Sequence, residues 1–342
     1  MTLDSDAVAA NEPLTLTPQG LHVPSANAWI DPWRGVSTAI LTHAHADHAR
    51  PGSGVYHAAR TSEGLLRSRL GADVDLRLHA YGEPFTLGGA TFSLHPAGHV
   101  LGSAQVRVEV DGHVTVVTGD FKRAPDPSCE PFEVVPCDTL VTEATFALPV
   151  YRWPDPREVT ADILRWWDAN AAAGRASVLL CYSLGKAQRV LAELGRHTDR
   201  TVLLHPATDA LTDVYRAAGI AMVPTAPIPD APKRGALAGE LIVAPPGIDG
   251  SKWLKRIGSY QTAFASGWMR VRGIRRRRSV DRGFVISDHA DWPALLRTVE
   301  ECGATRVLAT HGRTDVLVRV LRERGLDAEA LETAFGAEEG RA

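Results

Sequence analysis

One short histidine-rich segment constrains this chain more than any other feature. The letters HAHADH at positions 43–48 directly follow the apolar run 36–41, which is typical of a β-strand. Residues two apart in an extended segment point the same way, so His43 and His45 can bind one metal ion. Asp47 and His48, beyond the turn, face a second ion. A lone histidine is usually a surface or satisfied core residue, but three histidines and an aspartate at this spacing favour a metal site.

Three more candidate ligands each follow a strand-like run. His99 comes after residues 91–94, and His311 comes after residues 306–310. Asp120 ends the second arm of a hairpin whose Asp111-Gly112 turn favours type I′ geometry. Taken singly, each is better explained as a turn-capping aspartate or an exposed histidine.

Together with the histidine segment, these residues complete two ligand sets with none left over. The first set consists of His43, His45 and His99. The second set consists of Asp47, His48 and His311. Asp120 bridges the two sets, because one carboxylate has two oxygens and suits two dications about 3.5–4 Å apart. The sequence therefore predicts a dinuclear metal site with Asp47 and Asp120 at its centre.

The metal motifs resemble those of the metallo-β-lactamase superfamily: HxHxDH, AGHVLGS at 97–103 and TGD at 118–120. Three later motifs look like the A, B and C motifs of the β-CASP nucleases: TEATF at 142–146, SDHAD at 287–291 and THG at 310–312. SDHADW, LGKAQR at 184–189 and ASGWM at 265–269 are most similar to bacterial ligase-associated DNA exonucleases. The likeness extends from about residue 14 to residue 334.

The resemblance implies an α/β fold, an αββα metallo-β-lactamase sandwich with an inserted α/β β-CASP-like cap. Short β-rich runs dominate up to residue 146, and a proline-rich segment at 149–156 marks a boundary. Helices and strands then alternate, which favours a parallel sheet. We predict the first part of the metal-binding domain at 1–148, the cap at 149–283 and the C-terminal part of the metal-binding domain at 284–342.

The resemblance also implies roles for residues around the metals. Two divalent ions, Zn2+ or Mn2+, activate a hydroxide that attacks the phosphodiester. His289 protonates the leaving oxygen, and Glu143 orients His289 and raises its pKa. Asp31 matches the first motif of the family and orients a ligand histidine. An aspartate before Pro32 is also a common turn residue, so this reading depends on the resemblance.

Two basic features suit a phosphodiester substrate. Ser183 and Lys186 lie where a strand gives way to a helix, so backbone NH groups and the lysine can hold a phosphate. Arg276 and Arg277 belong to the densest positive stretch, residues 270–282. The alternatives are an ordinary strand-to-helix turn with a solvated lysine, and a solvated arginine-rich loop.

Composition sets further limits. The 342 residues are 44% hydrophobic with a net charge of −3, so any nucleic-acid binding must come from local charge. No apolar run has the length of a membrane span, and residues 1–12 lack a signal pattern, which predicts a cytoplasmic protein without a membrane partner. The four cysteines are scattered singly, so neither a thiolate zinc site nor a disulfide framework is expected.

The predicted function is a metal-dependent DNA exonuclease in repair or end processing. Its expected partners are single-stranded DNA or DNA ends and, by resemblance, a DNA ligase and a helicase. An RNA-processing nuclease is the first alternative, because a histidine at the position of His311 is usual in RNA-processing relatives. A non-catalytic nucleic-acid-binding subunit is the second, although such subunits lose their ligands. A small-molecule hydrolase is disfavoured by the cap and by the Glu143 and His289 pair.

Overall fold

A computed structural model describes residues 13–273 and 280–331. Across these residues the chain forms nineteen β-strands in three sheets and seven α-helices. Within this part of the chain, no helix combines the length and the apolar character that crossing a membrane requires.

The first sheet has six strands in chain order, namely β1 Thr15–Thr17, β2 Gly20–Val23, β3 Ala28–Ile30, β4 Thr38–Ile40, β5 Val55–Ala59 and β6 Leu76–His79. The first three pair antiparallel, and β3 to β6 pair parallel. Helix α1, Glu63–Leu70, follows β5. The histidine segment thus begins just after β4, as predicted.

The second sheet begins with β7 Phe85–Leu87, β8 Ala90–Pro96, β9 Ala104–Val110, β10 His113–Val117 and β11 Thr139–Ala144. The β9–β10 hairpin turns at Asp111 and Gly112 with φ of 50° and 82°. Positive φ at both central residues is the type I′ geometry expected from the sequence. β10 and β11 pair parallel.

The third sheet is wholly parallel and carries helices between its strands. Its strands are β12 Ala176–Leu180, β13 Val202–Leu204, β14 Thr225–Pro227, β15 Leu241–Ala244, β16 Tyr260–Ala265 and β17 Arg282–Phe284, in the order β14-β13-β15-β12-β16-β17. The helices of this region are α2 Pro156–Ala172, α3 Lys186–Leu194, α4 Pro206–Ala217 and α5 Lys252–Arg256. The helix–strand alternation that the sequence predicted is present.

The boundary predicted at residue 284 falls inside the third sheet. β17 pairs with β16, and Phe284 and Ile286 are buried in the core of this sheet. The strand expected to reopen the metal-binding region therefore completes the third sheet, because the side chain of Phe284 packs on its apolar face.

The chain then returns to the second sheet through α6 Trp292–Cys302, β18 Arg306–Gly312, α7 Thr314–Glu323 and β19 Asp327–Ala330. β18 inserts beside β11 in parallel, which gives the sheet order β19-β18-β11-β10-β9-β8-β7. Because β10, β11 and β18 are parallel, their carboxyl ends meet at one edge of the sheet. His311 lies within β18 rather than after it, with φ of 55° beside a register shift in the β11 pairing.

The first two sheets face each other across a shared core. Ile30 and Ile40 of the first sheet pack in one buried cluster with Phe92, Val106 and Val141 of the second. Helices α6 and α7 cover the outer face of the second sheet, and α1 with α4 covers the outer face of the first. Helices thus pack against both of these sheets, and a third sheet adjoins them.

Candidate metal centre

The loop after β4 is held in shape by Asp31, at the end of β3. Asp31 has φ of 44°, and its Oδ1 accepts a hydrogen bond from the Thr42 backbone NH at 2.8 Å. Its Oδ2 accepts from the Thr42 hydroxyl at 2.5 Å and from His48 Nδ1 at 2.7 Å. Asp31 therefore holds the ring of His48 by Nδ1, and Nε2 lies 3.6 Å from Asp120 Oδ2.

Four candidate ligands place their ligand atoms close together. The ligand atoms of His43, His45, His99 and Asp120 all lie within 4.8 Å of one another. His45 Nδ1 is 3.0 Å from His43 Nε2 and 3.1 Å from His99 Nε2. Asp120 Oδ2 is 3.5 Å from His43 Nε2 and 3.6 Å from His99 Nε2. A tetrahedral site with Zn–N distances of 2.0–2.1 Å has ligand separations of roughly 3.3 Å, so this donor set fits a metal ion.

The imidazoles of this group are electrostatically prepared to act as ligands. Burial lowers the pKa of His43 and His99 well below the ordinary value, and it lowers the pKa of His45 to about 4. Near neutral pH these rings are therefore uncharged, as metal coordination requires. His99 Nδ1 donates to the Asp288 backbone oxygen at 2.8 Å, which leaves the lone pair on Nε2.

The second predicted set is more open. His48 Nε2 lies 3.6 Å from Asp120 Oδ2 and 3.7 Å from Asp47 Oδ2. The His311 ring stacks on His48 with centroids 5.5 Å apart, and burial lowers the pKa of His311 to about 4. Among the described residues, this set does not form a group as tight as the first. Asp120 Oδ2 nonetheless lies within 3.6 Å of ring nitrogens from both sets, His43 and His99 of the first and His48 of the second.

The protonated state is favoured at His48, whereas the neutral state is favoured at His43, His45 and His99. Burial lowers the pKa of His48, but Asp120, Asp31 and Asp47 outweigh burial and raise it to about 10. Burial likewise raises the pKa of Asp47, but His48 and His45 outweigh burial and lower it. The carboxylates thus favour a cation at Nε2 of His48, and a divalent ion can replace the proton there.

Glu143 and His289 form the pair that was expected beside the metals. Glu143 Oε2 is 2.9 Å from His289 Nδ1, and Oε1 accepts from the Phe121 backbone NH at 2.8 Å. Burial raises the pKa of Glu143, but His289 outweighs burial and lowers it. Ligand atoms of Asp120, Glu143 and His289 form a second group within 4.8 Å. His289 therefore lies at the rim of the centre with one nitrogen held by a carboxylate.

The predicted phosphate contacts have a different environment from the one expected. Lys186 begins α3 but is buried, with Nζ 3.4 Å from Asp288 Oδ2. Ser183 Oγ lies 3.3 Å from the Thr208 hydroxyl. The lysine is thus part of an internal ion pair and not a solvated surface cation. Arg276 and Arg277 lie outside the described residues.

Sequence reasoning missed Asp288 and Trp153. Asp288 holds His99 through its backbone oxygen and pairs with Lys186 and with Arg189 through its carboxylate. Trp153 Nε1 donates to the His289 backbone oxygen at 2.8 Å. The signal for Asp288 was its place directly before His289 in SDHAD. Trp153 lies in the proline-rich segment, which had been interpreted only as a boundary.

Comparisons with known proteins find relatives that match this chain over only part of their own length. No family model matches the chain. A "Probable DNA ligase" of Opitutus terrae is 35% identical over 314 residues, which are 91% of this chain and 30% of that protein. "Endoribonuclease YSH1" of Eremothecium gossypii is 28% identical over 113 residues, 32% of this chain and 14% of that protein. The chain thus spans less than a third of the length of either relative.

A solved structure shows the fold alone. It is a protein of unknown function from Enterococcus faecalis V583, 14% identical, with a TM-score of 0.55 over 86% of this chain and 79% of that one. The fold is α/β. The histidine and aspartate side chains of the site could hold divalent metal ions. The relatives support the metallo-β-lactamase/β-CASP family to which the motifs point, without selecting its ligase-associated branch.

Proposed function

We propose that the chain is a two-metal phosphodiesterase that hydrolyses DNA, as an exonuclease in repair or end processing. The observation that carries the proposal is the position of Asp120 Oδ2, 3.5 to 3.6 Å from His43, His48 and His99 at once. In this proposal residues 1–148 and the chain that follows the third sheet form the sandwich, and the residues between them, through β17, form the cap.

The chemistry divides between ions and side chains. When bound, two Zn2+ or Mn2+ ions supply a hydroxide near neutral pH and neutralise charge on the phosphoryl oxygens. His43, His45 and His99 would hold one ion, Asp47, His48 and His311 would hold the other, and Asp120 would serve both. Asp31 keeps the Nε2 lone pair of His48 toward its ion.

His289 delivers a proton to the leaving oxygen. Its Nδ1 is held by Glu143 at 2.9 Å, so Nε2 is the nitrogen assigned to the proton transfer. A buried carboxylate partner fixes the tautomer and stabilises the protonated ring. Asp120 serves the generation of the nucleophile, and Glu143 serves the protonation of the leaving group. The two carboxylates are neighbours.

The DNA substrate is supported by the relative named a probable DNA ligase, which is similar to 91% of this chain. A segment of this kind within a ligase-named protein favours DNA ends as the substrate and a DNA ligase as a partner. A helicase partner follows from the resemblance to the ligase-associated exonucleases.

An RNA nuclease is the second candidate, favoured by the similarity to a protein named an endoribonuclease. His311 also suits that branch. A non-catalytic binding subunit is the candidate of another class, and the close grouping of His43, His45, His99 and Asp120 opposes it.

One experiment distinguishes these candidates. Purified protein is incubated with end-labelled single-stranded DNA and RNA of matched sequence, with zinc or manganese, and the product ladder is read. We expect faster loss of DNA, one nucleotide at a time. Equal or faster cleavage of RNA would transfer the assignment to the RNA branch, and hydrolysis of neither strand by metal-loaded protein would support a binding role.

A further inference from the structure

A groove of about 910 Å3 opens beside His289. Its lining includes residues 123–127 and 153–157 together with Arg196 and Arg297. Because His289 is the group assigned to the leaving oxygen, the groove extends from the leaving-group side of the metal centre. A strand cleaved at the centre must continue past this side or end there.

The charges of the groove are distributed unevenly between its floor and its mouth. Asp126, on the floor, is buried and its Oδ2 is 2.8 Å from Lys122 Nζ and 3.3 Å from Arg189 Nε. Asp291 is also engaged, accepting from the Trp153 NH and the Ala294 NH at 3.0 Å each. These carboxylates are therefore occupied by the protein itself.

The guanidinium groups at the mouth are open to solvent. The side chains of Arg196 and Arg297 are 65% and 56% exposed, and their nearest carboxylates are 3.9 Å away. Arg297 shares Glu301 with Arg123, whose Nη2 is 2.5 Å from the same side chain. Two guanidinium groups thus share one carboxylate, which leaves positive charge in the groove.

Trp153 adds a flat apolar surface next to the reacting centre. Its indole NH donates to the His289 backbone oxygen, and its ring is packed edge-on against Phe146 at 4.8 Å between centroids. The ring is half-buried and lines the groove. Aromatic faces bordered by arginines are the usual means of holding single strands without sequence preference.

We infer that this groove binds the single-stranded DNA segment on the leaving-group side of the scissile phosphate, with Arg196 and Arg297 contacting its phosphates. The inference rests on the proposed function, since it names where the substrate of that site lies. It assigns strand binding to residues other than the arginine-rich stretch 275–278, which the sequence alone suggests.

The test compares two double variants with matched local geometry. Arg196→Glu with Arg297→Glu reverses charge in the groove. Arg165→Glu with Arg319→Glu reverses two exposed arginines that also have i,i+3 and i,i+4 carboxylate partners, but that do not line the groove. Binding of a phosphorothioate-linked single-stranded DNA to the metal-loaded full chain is measured by fluorescence anisotropy across a range of NaCl concentrations.

Each phosphate contact on a single strand contributes about 0.7 to the log–log salt slope, so the groove variant should lose about 1.4 of it. The control variant should keep the wild-type slope, and both should keep the wild-type metal content. A neutralised version, Arg196→Gln with Arg297→Gln, should reduce the slope in the same direction. Equal slopes for the groove and control variants would overturn the inference.

The result is separable from the test of the proposed function. Binding is measured with a strand designed to resist hydrolysis, so it does not require turnover. A wild-type protein that cleaves neither DNA nor RNA would contradict the proposed activity, whereas the slope comparison would still decide whether the groove holds a strand.

Discussion

His45 and His48 are three residues apart, but the pKa of His45 is lowered and the pKa of His48 is raised. Burial lowers the pKa of His45 to about 4, whereas Asp120 and Asp31 overcome burial at His48 and raise its pKa to about 10. The difference arises from neighbouring carboxylates, since loss of solvent lowers the pKa of both rings. The carboxylates around each imidazole therefore decide whether the ring is already uncharged and ready to bind a metal ion or must first lose a proton.

The same reasoning makes the role of His289 testable. His289→Ala should retain both metals and lose roughly a hundred- to ten-thousand-fold in rate, the usual contribution of acid catalysis. Glu143→Gln should show a smaller defect, because it leaves the ring but weakens its orientation. Rates on end-labelled DNA and metal content by mass spectrometry provide the measurements.

His99→Ala is the matched comparison, since His99 lies 4.8 Å from His289 between ring centroids but belongs to the ligand group. It should lose metal as well as rate. Stoichiometric loss of metal from His289→Ala would instead make His289 a ligand.

At the scale of elements, strand ends gather the functional groups. Parallel strands β10, β11 and β18 end at one edge of the second sheet, and this edge carries Asp120, Glu143 and His311. The first sheet contributes its histidine segment just after β4. Each element therefore supplies a few ligands and no single element holds the site.

The paired strands β5 and β6 give a pH-dependent prediction. His57 Nδ1 lies 2.9 Å from His79 Nε2, and burial, followed by the charge of His79, lowers the pKa of His57 to about 4. A lowered histidine pKa means that the unfolded chain binds more protons between about pH 4 and 6.5, so stability should fall as pH falls through this window. Urea unfolding at pH 7 and pH 5 measures the effect.

His57→Gln should lose part of this acid sensitivity while keeping a polar partner for His79. His113→Gln is a suitable control, because its side chain is 43% exposed and belongs to the other sheet. An acid dependence identical in His57→Gln and in the wild type would show that the pair does not contribute.

Features that depend on the local sequence pattern could be predicted. Features that depend on contacts between distant segments could not. Apolar runs followed by histidine or aspartate indicate strand ends, so the positions of His43, His99 and Asp120 were accessible from sequence. The environment of Lys186 was not, because its partner Asp288 is brought in by a distant segment. The strand at 282–284 was misplaced for the same reason, since only its pairing with β16 shows which sheet it joins.

At the scale of the whole molecule, a buried chain of alternating charges joins the third sheet region to the metal-binding sheets. Its members are Lys122, Asp126, Arg189, Asp288 and Lys186, with successive contacts of 2.8, 3.3, 3.8 and 3.4 Å. Arg189 lies on α3 and connects the two aspartates. The fourth member, Asp288, is the residue whose backbone oxygen holds His99, so the seating of α3 and the orientation of a candidate ligand are linked.

Arg189→Met should therefore be strongly destabilising, because the carboxylates of Asp126 and Asp288 stay buried and each loses a positively charged partner. Breaking a buried ion pair typically costs about 3–5 kcal/mol. Arg165→Met, on the exposed face of α2, should change the free energy of unfolding by less than about 0.5 kcal/mol. Denaturant unfolding of both variants measures this, and similar small changes for both would mean that the buried chain of charges is dispensable.

The pairing of β11 with β18 has a consequence for how the molecule is made. Residues 145–305 lie between these neighbouring strands, so closing the second sheet requires an intervening unit of ordinary domain size to be ordered or looped out first. During synthesis, His43 to Glu143 leave the ribosome long before His311 does. The candidate ligands His43, His45, His99 and Asp120 are thus synthesised long before His311, so the second predicted set stays incomplete until β18 has been made.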